Sequence, residues 1–490
     1  LRVGLLGGAG VFASAVLAAC GGSAPVAPTA APAAAAPPTT APTTAPAAAA
    51  PTVAPTKAAA PTTAPTAAPT TAAATAPTPT AAAAPAGQAG VKLLIWRGQD
   101  FFQGLNPVLR ARWDEYAKNN NITLDWDPTL NLPADALPAA IQAGQPPDIT
   151  GASQVQYWRA QGQLTDLTDA IGKYATQSGN WWPYVGTEFS WQSKWYASPL
   201  GVGLTAWHVR QDLLDQVNAG KWATSLDDMR AIAKKVNKPP FMAYGLTLGP
   251  ALDAAEQFVE LLWGFGGKLL NDDGTWAMKE TDDAGLAVLN FYNQVYNVDK
   301  IVPQGAIDWN DGGNNAAYQG ALVAWVMNAP SIFSWLQANK PDLYKQTSLY
   351  RTPAGPQGSH PYLQPEGHVI YKGAKHVDAA MGALAYLLDP TWYASFIEQV
   401  LGRYGPIYQD LLNKPFWSQN SNFKELAYVT QNGRTWAYSG PPVPAFLQII
   451  NKFYLSDLIH DYLVKKLSPQ DAMKNLLAKV NDTYSKNPIG

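Results

Sequence analysis

Residues 24–86 are almost wholly Ala, Pro and Thr, in irregular repeats such as Ala41-Pro-Thr-Thr-Ala-Pro46. No aromatic residue occurs there, and Val26 and Val53 are its only branched apolar residues. Such a segment cannot bury enough surface to offset the entropy of ordering it. Proline this dense favours an extended chain at up to ~3.1 Å per residue, so its reach is on the order of 200 Å. Its many Thr residues suit O-linked sugar. Whatever folds must therefore lie to one side of this tract.

Charge marks the boundary. No Asp or Glu precedes Asp100, and the only cations before Val91 are Arg2 and Lys57. Residues 91–490 carry the other 32 cations, all 36 acids and all 18 Trp, from Trp96 to Trp436. A 400-residue unit exceeds the ~250–300 residues at which single cores stop growing, so more than one core is expected. Near-neutral charge argues against nucleic acid as a partner, which selects a basic excess. The single Cys, Cys20, excludes an intramolecular disulfide, and five scattered His (208, 360, 368, 376 and 460) form no zinc-ligand pattern.

Residues 3–19, VGLLGGAGVFASAVLAA, are apolar, rich in small residues and short for a membrane span, which points to a signal-peptide core. Leu17-Ala18-Ala19-Cys20 resembles the bacterial lipobox, in which the Cys thiol is lipidated and the chain is cut just before it. That resemblance implies a signal peptide over 1–19, a lipid anchor on Cys20 and a tether over 20–90. Two or more acyl chains hold a protein stably at a membrane where one is marginal.

Beyond the tether, Val91–Trp96 reads as a strand, Pro107–Asn119 as a helix with Val108, Leu109, Trp113 and Tyr116 on one face, and Ile122–Trp126 as a second strand. A β-α-β start implies parallel strands with helices on the sheet faces. Ala139–Gly144 reads as a helix stopped by Pro146 and Pro147, with Asp148 opening a strand. Ser225-Leu-Asp-Asp228 and Ser468-Pro-Gln-Asp471 are helix caps, each followed by apolar residues at helical spacing. The periodicity gives an α/β chain with many helices.

The sequence holds no G-x-G-x-x-G, P-loop, G-x-S-x-G or H-E-x-x-H. Asn271-Asp-Asp-Gly274 reads as a hairpin turn, and Asp308–Asn315 as a polar loop that could bring Trp309 to a site; neither has calcium-loop spacing. No cofactor or metal is implied. Paired carboxylates are available in number, yet nothing singles out a pair. Tryptophan is unusual: 18 exceed what a core needs, and neighbours such as Trp181-Trp182 cannot both face inward on a regular strand. Flat rings suit the apolar faces of sugars, with Asp, Asn and Gln taking the hydroxyls.

Read in order, the segments of 91–490 resemble the extracellular solute-binding proteins of ABC importers, the family of maltose-binding protein. Ala143-Gly-Gln-Pro-Pro-Asp-Ile149 looks like its A-x-G-x-x-P-D-[IV] signature. Tyr196-Ala-Ser-Pro199 with Trp207–Leu214, Thr224–Asp228, Phe265–Gly274, Ile301-Val-Pro303 and Tyr318–Trp325 follow the family's next segments. The resemblance implies a two-lobed, type II periplasmic-binding-protein-like α/β fold, with hinge strands crossing between lobes and a ligand cleft between them. Crossings are expected near Gly201–Thr205, Gln364–His368 and Arg403–Ile407. One lobe would then be about 91–202 and 366–406, the other about 203–365 and 407–490.

Carried over by position, the resemblance places ligand contacts at Trp96, Gln99, Asp100, Ser153, Gln154, Ser331, Glu366, His368, Trp436 and Tyr438. Ser331 stands where sugar-binding relatives have a stacking Trp. The implied function is capture of a small solute, a mono- or oligosaccharide first, and delivery to ABC permease subunits. The implied protein is a monomer without enzymatic activity, anchored outside the cytoplasm (in the periplasm if an outer membrane exists). Alternatives left open are a tethered carbohydrate-active enzyme, a structural wall protein, and a receptor for glycerol phosphate, polyamine or peptide. No dense basic or acidic cluster in the sequence marks a charged solute.

Overall fold

The structure, a computed structural model, describes residues 90–488 except 130–134, 153 and 177–179. The expected signal peptide, the tether, Cys20 and Ser153 lie outside the described residues. Two large hydrophobic cores form, one at each of the two main sheets, and a third, smaller cluster that includes Tyr318, Val326 and Leu336 packs on the second sheet.

The first sheet opens with the expected β-α-β unit. Strand β1 (Lys92–Trp96) pairs in parallel with β2 (Thr123–Asp125) on one side and β3 (Ile149–Gly151) on the other. Leu93 and Ile95 alternate into the core, and the intervening helix Leu105–Asn119 lays Leu105, Leu109, Trp113 and Tyr116 over the sheet. Trp113 Nε1 and Tyr116 Oη donate to Ala383 and Ala379 carbonyls of helix Val377–Leu387, 3.2 Å each, fixing that helix to the same face. Asp148, the acid of the Pro-Asp signature, accepts Leu94 N–H at 2.9 Å and His376 N–H at 2.8 Å. It therefore sets where β3 joins β1.

A short hairpin, β4 (Ser190–Trp191) and β5 (Lys194–Trp195), precedes β6 (Ser198–Leu204). After it, β7 (Ala206–Arg210), β8 (Met242–Tyr244), β9 (Val323–Asn328) and β10 (Thr347–Tyr350) build the second sheet, in the order β10-β7-β9-β8. The chain then returns to the first sheet as β11 (Leu363–Val369) and β12 (Tyr404–Gly405), giving the order β12-β6-β11-β3-β1-β2. Both capping serines act as expected: Ser225 and Ser468 accept the N–H of Asp228 and Asp471, 3.1 Å each. Asn271–Gly274 is a turn, with Gly274 at φ +82° and its N–H on Asn271 O at 2.9 Å.

Two of the three crossings differ from the sequence reading. A single residue, Thr205, separates β6 in the first sheet from β7 in the second, at the edge of the expected crossing. The second crossing falls at Tyr362, just before the expected Gln364–His368. The third lies later than Arg403–Ile407: Ile407, Tyr408, Leu411, Trp417, Phe423, Leu426 and Val429 pack in the first core, and the second core resumes at Trp436. Helices such as Pro415–Gln419 and Ser421–Asn432 are apolar on one face, and no periodicity says which sheet that face meets. Among the described residues no helix is long and apolar enough to cross a membrane.

Candidate functional site

Where the lobes meet, Glu260 holds the crossings together. It lies on helix Leu252–Gly264 of the second lobe and is 3% exposed. Its Oε1 accepts the Thr205 hydroxyl at 2.5 Å and Tyr362 N–H at 2.6 Å, and its Oε2 accepts the Thr352 hydroxyl. Burial pushes this carboxyl up to about 7 even though three hydrogen bonds favour its charged form. Residues from two crossings thus share one carboxylate. Beside it the third crossing packs Trp436 onto the Tyr362 ring, centroids 4.7 Å apart.

The first-lobe wall is built on a charge network that joins the loop after β1, the middle of β11 and the start of β12. Arg403 grips Asp100 with Nε and Nη2, each at 3.0 Å, and reaches Glu366 at 3.3 Å. Tyr404 Oη donates to Glu366 Oε2 at 2.7 Å. Glycines on β6 make this geometry possible. A Cβ on Gly203 would meet Glu366 Oε1 at 2.7 Å, and one on Gly201 would meet the Tyr404 ring at 2.5 Å. Burial alone would raise Asp100, but the charge and hydrogen bonds of Arg403, with Arg97 nearby, bring it below its ordinary value. Arg97 in turn bonds Asn106 at 3.2 Å and lies 3.3 Å from His368 Nε2.

Across the hinge the second lobe presents acids. Asp253, Glu256 and Glu260 sit at i, i+3 and i+7 on one face of helix Leu252–Gly264. Asp253 Oδ2 accepts the amides of Asn314 and Asn328, 2.8 Å each, and Asp311 Oδ1 accepts Asp253 N–H at 2.9 Å. Burial raises Asp253, Glu256 and Asp311, and for Glu256 the charges of Asp253, Asp311, Glu260 and Glu366 add to it. Glu366 belongs to the opposite lobe, so the carboxylates of both lobes act on one another. The sequence itself shows no dense acidic cluster. The fold assembles one from positions 188, 253, 256, 260, 311 and 366, which no sequence window contains together.

The expected contact residues separate into groups. Trp96 ends β1, Gln99 and Asp100 follow it, and Glu366 lies mid-strand in β11, with Asp100 and Glu366 joined through Arg403. Gln154 of the first lobe accepts the Gln448 amide of the second at 3.3 Å, a contact between lobes. Tyr438 is 40% exposed, with Arg434 3.9 Å from its ring centroid. Trp436 is 9% exposed and occupied by Tyr362.

Two expected residues offer no surface. His368 is 1% exposed, beneath the Trp113 ring at 5.3 Å, and its role is to support Arg97. Ser331 is buried where helix Ser331–Asn339 begins. The tryptophan expectation also needs correction. Half of the 18 are buried in the cores, and Trp181 and Trp182 are both among them. They escape the strand argument because Trp181 is an isolated bridge and Trp182 caps a helix, its Nε1 on Pro406 O at 2.9 Å. The reading missed Arg403 and Glu256. The i, i+3, i+7 acid stripe of 253–260 was the available signal for Glu256, and nothing local marked Arg403.

A family profile described as bacterial extracellular solute-binding protein matches residues 97–394. No curated protein sequence gives a match. Among solved structures, similar chains include an ABC transporter solute-binding protein from Thermotoga lettingae TMO bound with alpha-D-tagatose: 19% identical, covering 82% of this chain and 100% of that one, TM-score 0.70. T. maritima MalE3 with maltose is 18% identical over 80% of this chain and 100% of its own, TM-score 0.68. The maltose/maltodextrin-binding domain MalE of Bdellovibrio bacteriovorus with maltotriose is 17% identical over 81% and 100%, TM-score 0.64.

Proposed function

Because the chain belongs to the bacterial extracellular solute-binding protein family, we propose that it is the receptor of an ABC importer, capturing a mono- or oligosaccharide between its lobes for delivery to the permease. The observation that carries this reading is the hinge itself. Two lobes with separate cores meet at three crossings, and polar side chains from both converge there. Structural relatives solved with tagatose, maltose and maltotriose support sugar as the solute class. Contact residues would be Trp96, Gln99, Asp100, Gln154, Glu366 and Tyr438, with Ser153 beside Gln154. Asp100 and Glu366, held by Arg403, present fixed acceptors to hydroxyls.

In this reading the protein does no chemistry. Ligand contacts both walls and favours the closed form by the difference in its affinity for the two states. The family is extracytoplasmic. The finer proposal is that residues 1–19 are a signal peptide, that Cys20 carries the lipid anchor, and that residues 20–90 tether a monomeric receptor to the outer face of the membrane.

Thermal melting of the purified protein against a sugar panel tests the function. A sugar at ~100 times its dissociation constant adds about 2.7 kcal/mol, a rise of a few degrees. Recovery of that sugar unchanged is expected, and product formation would make the protein an enzyme. No shift with any sugar would remove the carbohydrate reading. Cys20→Ser should move the protein from the membrane fraction to the soluble fraction; retention in the membrane would refute the anchor.

A further inference from the structure

The lobes touch at a place other than the crossings. Gln154 follows β3, and Gln99 and Asp100 follow β1; the two strands are parallel neighbours, so all three residues leave the first sheet at its carboxyl end. Ligands of open α/β sheets lie outside that end. From the second lobe, Gln448 donates its amide to Gln154 Oε1 at 3.3 Å. Behind this bond, helix Pro444–Asn451, which carries Gln448, packs against helix Val155–Ala160, which begins just after Gln154. The contact therefore joins the lobes on the cleft side of the molecule.

Each partner is fixed in its own lobe. Helix Val155–Ala160 roots Val155 in the first core, and buried Gln156 donates its amide to the Glu188 and Ser190 carbonyls, 3.0 Å each. Helix Pro444–Asn451 buries Ala445, Phe446 and Ile449 in the second core. Neither helix can follow the other lobe, so a rotation that parts the cleft walls has to break the contact. Gln154 also has φ +51° and ψ +43°, the left-handed region that glycine enters freely and a glutamine does not. What glutamine supplies at that position, and glycine cannot, is the side chain that meets Gln448. Backbone strain of this kind is held by the surrounding structure and gathers at ligand clamps.

We propose that Gln154 and Gln448, with the two helices behind them, form a latch that holds the lobes together before a solute arrives. The latch stabilises the closed form alone, so it raises the closed fraction of the empty receptor. Apparent affinity scales with that fraction, so every solute gains by the same factor. One amide–amide hydrogen bond is worth roughly 2- to 10-fold in such an equilibrium. The proposal rests on the two-lobed receptor reading and is independent of the solute's chemical class.

Double electron–electron resonance on the purified, ligand-free full chain tests it. Spin labels go on Lys118→Cys in the first lobe and Lys235→Cys in the second, both exposed positions, with Cys20→Ser so that no other thiol is labelled. The latched distance is expected to be populated without ligand. Gln448→Ala should shift the equilibrium toward a second, parted distance by roughly 2- to 10-fold, and Gln448→Trp, too large for the contact, should shift it further. Gln154→Gly relieves the backbone, so melting should find it folded. It should shift the equilibrium as Gln448→Ala does, and the double variant no further than either alone. For any solute that the melting panel identifies, calorimetry should show Gln448→Ala weakening binding in proportion to the lost closed fraction. A distance distribution that none of these variants alters would overturn the latch and leave the receptor standing, as would a parted population alone in the unsubstituted lobes. The expected shifts with no sugar bound from the panel would support the latch while removing the carbohydrate reading.

Discussion

Replacing Glu260 by Gln should make the stability profiles of the two proteins cross as pH changes. In the wild type this carboxyl is pushed up to about 7 by burial, against an ordinary value of 4.5. Between these values the unfolded chain has released the proton and the folded chain still holds it. The folded state thus binds more protons, and stability falls as pH rises through this window and levels off above it. At about 1.4 kcal/mol per pH unit, the loss from pH 4.5 to 7 is roughly 3 kcal/mol. Gln has the same shape and does not titrate. Its oxygen keeps the Thr205 hydroxyl and Tyr362 N–H, but its NH2 meets the Thr352 hydroxyl, which already receives Trp207 Nε1 at 3.1 Å. That hydroxyl proton loses its acceptor, at a cost of about 1 kcal/mol.

The variant should therefore be about 1 kcal/mol less stable at acidic pH and up to roughly 2 kcal/mol more stable at pH 8. Urea unfolding followed by tryptophan fluorescence between pH 4.5 and 8 measures both curves. Glu188 titrates in both proteins and cancels in the difference, whereas Glu256 loses the repulsion of the Glu260 charge in the variant, which adds to the gain at high pH. Parallel profiles would refute the reasoning, because they would mean that Glu260 ionises equally in the folded and unfolded chains.

Arg403→Met should cost about 3 kcal/mol at pH 7, by leaving buried Asp100 with only the more distant Arg97, 4.0 Å away, as counter-charge, while Glu366 reaches water. Part of that loss should return below pH 5 as Asp100 takes a proton, read by urea unfolding at both pH values. Ser225→Ala should cost about 1 kcal/mol through the lost cap of helix Leu226–Val236, with ligand affinity unchanged. Gly367→Ala would drive its Cβ into the Ser198 carbonyl at the β-bulge beside Glu366. It should weaken solute binding and lower the melting temperature together.

The parts of this protein legible in its sequence are those fixed by neighbours along the chain. The caps at Ser225 and Ser468, the parallel β-α-β start and the Asp148 strand entry depend on residues within a few positions, so pattern finds them. The third crossing was placed too early because helix Ser421–Asn432 shows an apolar stripe without saying which core receives it. Trp181 and Trp182 misled because pleat alternation was applied to residues that form a bridge and a cap. The acidic centre was invisible for a different reason. Its members come from four stretches of chain, and only the fold lets the charges of Glu188, Glu256 and Glu366 all bear on Tyr362. Motif order did indicate Asp100 and Glu366, but not Arg403, which connects them.

The one-residue passage between β6 and β7 has a mechanical meaning. Strands on either side are locked into different sheets, so angular change at that point must pass through the backbone torsions of Thr205 and its peptide links. A lobe of about 200 residues has a radius of gyration of about 16 Å, so ten degrees of rotation there carries its rim by about 3 Å. That is the length of a hydrogen bond. The passage acts as a gear in which the Thr205 hydroxyl, bonded to Glu260 and to Tyr362 O at 3.1 Å, sits at the slow end. A shift of a few tenths of an ångström at this hydroxyl is therefore matched at the rim by the making or breaking of whole contacts, such as Gln154 with Gln448.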